Sequence, residues 1–406
     1  MSFDASRARV ATTLVFLLNG CVLGVWATEV APLRERLGLS PGVLGGVLLC
    51  GAAGALVAMP LSGRLIARFG AGQVIQAGAV VACAALAGAV SAPGVWALCL
   101  CLLGFGAGFG TVDVAMNAEA VRVEQRAGRP ILSSVHGMWS LGSFCGSAGG
   151  AALLRVATPA VQAGLVAGGC CAALLGAGAM LRRRGAAEVA EDGPAAGVAR
   201  PGGGRLWARR GLLLAGAMMA LSFAVEGAVL DWGGVYLREA RHVPVALAAA
   251  GFSAFSATMM AMRFGGDRVR ARLGDRWVLR ASLGATAGFA LLLWPGPLWL
   301  SLLGFALAGA GVANVVPVLF ALAGAQGGAQ GGSGRASGPG PADAARRTGE
   351  AVGVASVMGY AGVLGGPPMF GMIAQASSVG VALGIAGALC AAVALAGGLA
   401  VRLRGR

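Results

Sequence analysis

Residues 63–70 read GRLIARFG and residues 267–274 read DRVRARLG, and each stretch lies between two long apolar segments. The two stretches match at their ARxG ends. Two further pairs keep the same order, LRE at 33–35 and 237–239 and LLGF at 102–105 and 302–305, and all three pairs are offset by 200 to 204 residues. Because repetition at a fixed offset indicates a repeated structural unit, the sequence predicts a duplicated unit of six membrane segments, with both copies in the same orientation.

The composition is that of a membrane protein. Of the 406 residues, 57% are hydrophobic and 12% are charged, whereas a soluble domain has about 25% charged residues. An apolar helix of roughly 20 residues crosses a hydrocarbon core of about 30 Å. The sequence predicts an all-α membrane protein with twelve transmembrane helices, at 10–30, 42–61, 73–91, 95–118, 131–153, 161–181, 211–231, 245–264, 277–294, 298–322, 351–373 and 380–401.

The charges are distributed unequally between the two sides of this arrangement. With the N-terminus placed in the cytoplasm, 26 of the 31 arginines lie on the cytoplasmic side, and the exceptions are Arg34, Arg36, Arg155, Arg238 and Arg241. The positive-inside rule therefore predicts a multi-pass protein of the cell membrane with both termini cytoplasmic.

The net charge of +15 does not indicate nucleic acid binding, because the arginines stand in short clusters between apolar segments and not on one folded face.

Two connecting segments divide the chain. The composition predicts that residues 182–210 form a flexible cytoplasmic linker between an N-terminal half at 1–181 and a C-terminal half at 211–406. Residues 323–349 are rich in Gly, Ser and Pro, and this composition predicts a disordered loop inside the C-terminal half.

The chain resembles the major facilitator superfamily along its whole length. The resemblance is carried by GRLIARFG, by its counterpart in RFGGDRVRARLG and by the plan of six plus six segments. Ala67 departs from the family pattern, which has an acidic residue there. Four stretches further resemble the YbjJ-type bacterial inner-membrane proteins, which are related to proton-coupled sugar permeases such as fucose permease: GTVDVAMNAEAVRVE, RPILSSVHGMWSLGS, EGAVLDWGGVYLRE and GGPPMFG. This resemblance implies two six-helix bundles around a central cavity.

The fourth segment carries an acid among apolar residues. In GTVDVAMNAEA, Asp113 precedes Asn117 by four residues, so both lie on one helix face. A charged Asp in the middle of a span costs about 2.5 to 3.5 kcal/mol, so its side chain should face the bundle interior. The residues alone leave open whether Asp113 is a structural latch or a proton carrier. In fucose-permease-like transporters an acid and an Asn at this spacing serve proton coupling, which the resemblance implies for Asp113.

The family's partner acid in the first helix is absent at the matching position. Four residues before Pro32 this chain has Thr28, with Glu29 next to it. Glu226 in the seventh segment is therefore the second acid for which we predict proton coupling, against the alternative of a structural role near a helix end. Asp231 and Trp232 are predicted at the outer interface, as a solvated acid and an aromatic-belt residue.

Four polar or aromatic residues are candidate ligands of a solute: Asn117, His136, Trp139 and Asn314. The resemblance places His136 at a cavity-lining position, whereas a lone histidine is often a hydrogen-bonded structural residue. Trp139 can stack on a sugar-like ring, but core packing explains it equally well.

Glycines and prolines indicate packing and bending. Gly104, Gly106, Gly108 and Gly110 interleave two GxxxG pairs, which predicts close helix packing and not a phosphate loop. Pro317 and Pro367 interrupt helical hydrogen bonding, and we expect them to serve gating. Gating is also the role predicted for the charged loop residues Arg64, Arg68, Asp267 and Arg272, against a simple effect of the positive-inside rule.

The residues do not support an enzyme, a metal site or a cofactor. His136 and His242, the two histidines of the chain, are predicted on opposite sides of the membrane, so neither a zinc site nor a serine triad can form. The sequence predicts a monomeric secondary transporter in a bacterial inner membrane, with protons, the lipid bilayer and a small polar, sugar-like solute as partners. The alternatives are a proton-driven antiporter that exports drugs or metabolites, and a membrane receptor on the same fold.

Overall fold

The computed structural model describes residues 3–127, 131–182, 210–328 and 341–402. The N-terminal half contains α1 (Phe3–Leu37), α2 (Pro41–Phe69), α3 (Ala71–Val90), α4 (Val95–Ala127), α5 (Leu132–Leu153) and α6 (Pro159–Arg182). The C-terminal half contains α7 (Arg210–Arg241), α8 (Val245–Ala248), α9 (Ala250–Leu273), α10 (Asp275–Arg280), α11 (Ser282–Leu293), α12 (Leu298–Val312), α13 (Val315–Gly328), α14 (Pro341–Ala376) and α15 (Val379–Arg402).

Helices occupy all twelve positions where the sequence predicts a span. Ten segments of the described chain are long and apolar enough to cross a membrane. The fifth span, α5, is outside these ten because its serines and glycines lower its mean hydropathy. The ninth is also outside them because the chain turns at Ala281, between α10 and α11. The chain is thus a multi-pass membrane protein with an all-helical fold.

The predicted loop at 323–349 is shorter than expected. Its first residues continue α13 to Gly328, and its last residues form the start of α14 at Pro341. The disorder predicted for these two flanks is wrong, because PADAARRTGEA begins with a proline suited to the first helical turn and continues with strong helix formers. Residues 329–340 and the linker at 183–209 lie outside the described residues.

The same helix pairings recur in both halves. In the N-terminal half α1 packs on α5, α4 on both α2 and α3, and α6 on α3. In the C-terminal half the corresponding contacts are α7 on α14, α12 on both α9 and α11, and α15 on α11. The structure therefore confirms the internal duplication, and each half is a bundle of six membrane segments.

Glycines bring the helices of the N-terminal bundle into backbone contact. A Cβ atom on Gly106 would lie 1.8 Å from the carbonyl oxygen of Gly51 in α2, and one on Gly108 would lie 2.4 Å from the amide nitrogen of Ala82 in α3. The packing role predicted for the glycine run in α4 is confirmed. Since α4 is held this firmly, the direction in which its polar face points is fixed by the packing of its neighbours.

The two bundles meet chiefly along α1 with α7, α2 with α14 and α5 with α9. We use the term terminal end for the end of the molecule where α1 begins, and distal end for the opposite end, where α1 and α7 finish at Leu37 and Arg241. At the distal end Gly45 of α2 lies directly against the backbone of α14, because a Cβ there would be 2.7 Å from the carbonyl oxygen of Pro367.

Candidate functional site

Two ion pairs connect the bundles at the distal end, and both come from the repeated LRE stretches. Arg34 of α1 pairs with Glu239 of α7. Arg238 of α7 pairs with Glu35 of α1, with its Nη2 donating to Oε2 at 2.8 Å. Each arginine also donates to a carbonyl oxygen five residues further on, that of Leu39 or Val243. We call these four charged residues the distal latch, because their two ion pairs connect the bundles at this end.

A second contact between the bundles lies beneath the distal latch. The indole nitrogen Nε1 of Trp26 donates to Oδ1 of Asp231 at 3.5 Å, and both side chains are buried. Trp232 is fully buried as well. The prediction that Asp231 and Trp232 lie at a membrane interface is wrong, because the packing of α1 against α7 encloses this part of α7. The first helix has Thr28 where the related permeases have an acid. The acid next to it, Glu29, is fully buried beside Thr28.

Asp113 and Asn117 lie together on α4, as their spacing predicts. The amide nitrogen of Asn117 donates to the Asp113 carbonyl oxygen at 2.9 Å and approaches Oδ1 at 3.4 Å. Both side chains are partly accessible. The carboxylate lies within electrostatic range of Tyr360, which belongs to α14 of the other bundle. Within the described part of the chain Asp113 has no ion pair with a cation.

Glu226 differs from Asp113 in having a cation beside it. Its Oε2 lies 3.8 Å from Nη2 of Arg263 in α9, which makes an ion pair, whereas its Oε1 has no hydrogen-bond partner among the described residues. The prediction that Arg263 is one of the cytoplasmic arginines is wrong. Instead of extending toward the terminal end, the side chain folds into the interior, where Glu226, Ser140 and a free carbonyl group compensate its charge.

Arg263 also binds the N-terminal bundle. Its Nη1 donates to Oγ of Ser140 in α5 at 2.9 Å, and its guanidinium carbon lies 6.0 Å from the ring centroid of Trp139. His136, one turn earlier, is exposed, packs edge-on against Phe16 at 5.1 Å and lies within the field of Arg263. The structure thus brings the predicted residues His136, Trp139 and Glu226 together around an arginine that was not predicted. We call Trp139, Ser140, Glu226 and Arg263 the arginine cluster.

Pro317 explains how Arg263 is held from a third side. A proline lacks the N–H that would bond the carbonyl group four residues earlier, and for Pro317 that residue is Ala313. The helix breaks there, between α12 and α13, and the Ala313 oxygen accepts from Nε of Arg263 at 3.2 Å. Asn314, in the same break, donates to the Met262 carbonyl oxygen at 3.0 Å. Its predicted role as a solute ligand stays a prediction, as do the gating roles of Pro317 and Pro367.

A family model described as Major Facilitator Superfamily matches residues 11–338 of the chain. The chain belongs to this superfamily. It is therefore a membrane transporter and not an enzyme.

Several known proteins resemble this transporter. It is 33% identical over 387 residues to an uncharacterised MFS-type transporter of Yersinia pestis, covering 95% of this chain and 94% of the relative. It is 32% identical to an uncharacterised transporter of Sinorhizobium fredii, with 94% of each chain covered, and 30% identical to the membrane protein MosC of Rhizobium meliloti, with 92% and 85% covered.

Solved structures share the fold of the transporter. The nucleoside transporter NupG superposes with a TM-score of 0.70 at 16% identity, covering 97% of this chain and 99% of that one. The human organic anion transporter MFSD10 superposes with a TM-score of 0.63 at 18% identity and the same coverage. At such low identity these likenesses establish the arrangement of helices.

Three of the charged residues predicted to gate the terminal end have exposed side chains in this structure. Arg64, Arg68 and Arg272 are exposed, and none of them forms an ion pair with another described residue. Arg68 packs over the ring of Phe69, 5.1 Å from its centroid. The side chain of Asp267 lies outside the described residues. Their gating role stays a prediction, and it concerns a state in which the terminal end is closed.

Sequence reasoning missed two features of the transporter. The first is Arg263, which looked like one of several arginines that follow a span. The second is the distal latch. The LRE stretches that form it recur at an offset of 204 residues. This repetition does not indicate that each arginine pairs with the acid of the other copy.

Proposed function

We propose that the chain is a secondary active transporter that moves a small polar organic solute by alternating access, with protons as the driving ion. We place it in the bacterial inner membrane as a monomer with both termini cytoplasmic, and in the YbjJ-type branch related to proton-coupled sugar permeases. The bacterial relatives and the distribution of the arginines support this placement.

The observation that carries the proposal is the state of Asp113. A carboxylate in the middle of a membrane bundle is costly unless a cation or several donors compensate its charge. Among the described residues Asp113 has the amide of Asn117 as its hydrogen-bond donor and no ion pair. Protonation removes the uncompensated charge, so Asp113 fits a group that takes up a proton on one side and gives it up on the other.

Glu226 fits proton coupling less well than Asp113 in this state. Arg263 lies beside it as an ion-pair partner, so part of its charge is already compensated. We therefore assign the proton to Asp113 and keep Glu226 as a group whose charge depends on whether Arg263 remains its partner.

The distal latch supports alternating access. With the termini in the cytoplasm, the latch and the Trp26–Asp231 contact close the outer side. The partly accessible Asp113, Asn117 and His136 are then reached from the cytoplasmic side. In the opposite state the latch must separate, and the loop residues Arg64, Arg68, Asp267 and Arg272 are the candidates for closing the inner side.

The candidate ligands on α4 and α5 support a polar solute. Asn117 and His136 offer hydrogen-bonding groups, and Trp139 offers an aromatic face. A few polar groups together with an aromatic surface are what a sugar-like or related polar molecule needs for recognition.

The proposal is tested with purified protein in proteoliposomes. A thermal-shift screen of neutral sugars, polyols, sugar acids and nucleosides identifies solutes, and their uptake is then measured with and without an imposed pH gradient. We expect gradient-driven accumulation in the native chain and in the control Asp275→Asn, and loss of accumulation in Asp113→Asn, which should still exchange internal for external solute. Full accumulation by Asp113→Asn contradicts proton coupling at this residue, export against the gradient indicates an antiporter, and binding without flux indicates a receptor.

A further inference from the structure

The guanidinium group of Arg263 has hydrogen-bonding capacity that the described protein does not use. It carries five N–H donors. One on Nε is bonded to the Ala313 oxygen and one on Nη1 to Ser140. The other three, one on Nη1 and two on Nη2, have no hydrogen-bond acceptor among the described residues. Two of them, one on Nη1 and one on Nη2, belong to the edge of the planar group that can bind a carboxylate through two parallel bonds, and the second hydrogen of Nη2 points to the Nε side.

Glu226 occupies this edge only loosely. The distance of 3.8 Å between Nη2 and Oε2 is an ion pair without a hydrogen bond, whereas a well-made arginine–carboxylate contact measures about 2.7 to 2.9 Å. Oε1 of Glu226 is left without any hydrogen-bond partner in the described part of the chain. The two charges thus compensate each other, but no hydrogen bond joins the two side chains.

The arginine cluster is accessible and is held from both bundles. The side chains of Arg263 and Glu226 keep 12% and 19% exposure. Ser140 and Trp139 come from the N-terminal bundle, and Glu226 and Arg263 come from the C-terminal bundle. A solute bound here contacts both moving parts, which is the condition for its binding to influence their movement.

We propose that the solute carries a carboxylate, and that this carboxylate displaces Glu226 from the free edge of Arg263. This inference rests on the proposed function and adds the chemical class of the solute, a small polar organic acid such as a sugar acid. Arg263 is the specificity-determining residue, held in place by Ser140 and by the carbonyl group that Pro317 frees. Glu226 acts as the internal competitor that occupies the arginine when no solute is bound.

The two members of the pair should have opposite effects when they are substituted. Removing the arginine removes the binding group, so Arg263→Gln should weaken binding of an acidic solute. Removing the charge of the competitor leaves the arginine free, so Glu226→Gln should strengthen it. A purely structural ion pair would show neither the opposite signs nor a dependence on the charge of the solute.

The experiment uses matched pairs of solutes on the full chain: D-glucuronate with D-glucose, D-gluconate with D-glucitol, and L-lactate with 1,2-propanediol. Binding is measured by thermal shift and uptake in proteoliposomes. We expect the acidic member of at least one pair to bind, Arg263→Gln to weaken this binding at least tenfold, and Glu226→Gln to strengthen it severalfold. Arg155→Gln, an exposed arginine far from the cluster, should leave it unchanged.

A second variant keeps the test valid if the loss of one charge destabilises the protein. In Arg263→Gln/Glu226→Gln both charges are removed together, and this variant should fold and should bind no acidic member. If the chain transports neutral solutes and none of the matching acids, the inference is overturned and the proposed function stands. Equal weakening of acidic and neutral solutes by Arg263→Gln would overturn it in favour of a structural role. Absence of binding and flux for every member of every pair would overturn the proposed function together with the inference.

Discussion

Arg34 and Arg238 occupy equivalent positions in the two repeats, and each pairs with the acid of the other copy, Arg34 with Glu239 and Arg238 with Glu35. The crosswise pairing gives the distal latch an internal twofold relationship. The LRE stretches, which repeat at an offset of 204 residues in the sequence, thus contact each other in the folded chain.

The distal latch should contribute modestly and reversibly to the closed state. Exposed ion pairs are worth about 0.2 to 1 kcal/mol each, so Glu35→Arg should raise hydrogen exchange of the segments 33–39 and 237–243 by up to about fivefold. Adding Arg238→Glu in the same chain restores an opposite-charge pair and should return exchange to the native rate. The control is Arg36→Glu, an exposed neighbour that has no ion pair with a described residue. Equal exchange in Glu35→Arg and Arg36→Glu would show that the latch does not hold the distal end.

The contact between Trp26 and Asp231 should depend on the acceptor oxygen and not on the charge. Asp231→Asn keeps an oxygen for the indole N–H, so the melting temperature should change little. Asp231→Leu leaves a buried donor unpaired, which costs about 1 to 3 kcal/mol and should lower the melting temperature by several degrees. In Trp26→Phe/Asp231→Leu both polar partners are absent, and much of the lost stability should return. A double variant whose loss equals the sum of the two single losses would contradict a direct contact.

Close packing of α4 should make Gly106 intolerant of even one methyl group. In Gly106→Ala the new Cβ meets the backbone of α2 at 1.8 Å in the native arrangement, so the helices must separate, and we expect a loss of several degrees in melting temperature. Gly164 is a matched control, because a Cβ at this position of α6 has no heavy atom within 4 Å. Since alanine favours a helix over glycine by about 0.5 to 1 kcal/mol, Gly164→Ala should be neutral or stabilising. Similar losses in both variants would argue against backbone contact at Gly106.

Much of the fold could be predicted because membrane helices are set by local properties. Hydropathy located the helices, repetition predicted the duplicated halves, and the glycine run in α4 predicted close packing. The predicted loop at 323–349 was too long because composition alone does not show where an apolar helix ends, as the helical flanks at Gly328 and Pro341 demonstrate.

The site was harder to predict because it depends on which way side chains turn. Asp113 and Asn117 followed from their spacing, since four residues make one helical turn. The position of Arg263 could not be predicted in this way, because an arginine near the end of a span suits the cytoplasmic side. Its side chain lies in the interior because Glu226, Ser140 and the carbonyl group of Ala313 bind it there. Asp231 was taken for a surface acid because the contact that buries it comes from Trp26, 205 residues away.

We assign to Asp113 the proton that moves with the solute. The most direct measurement is the internal pH of proteoliposomes, followed with an enclosed pH-sensitive dye while a solute identified by thermal shift flows inward down its own gradient. The native chain should show solute entry together with internal acidification, and Asp113→Asn should show solute entry without it. Equal acidification by the native chain and Asp113→Asn, at equal solute entry, would contradict the assignment of the proton to Asp113.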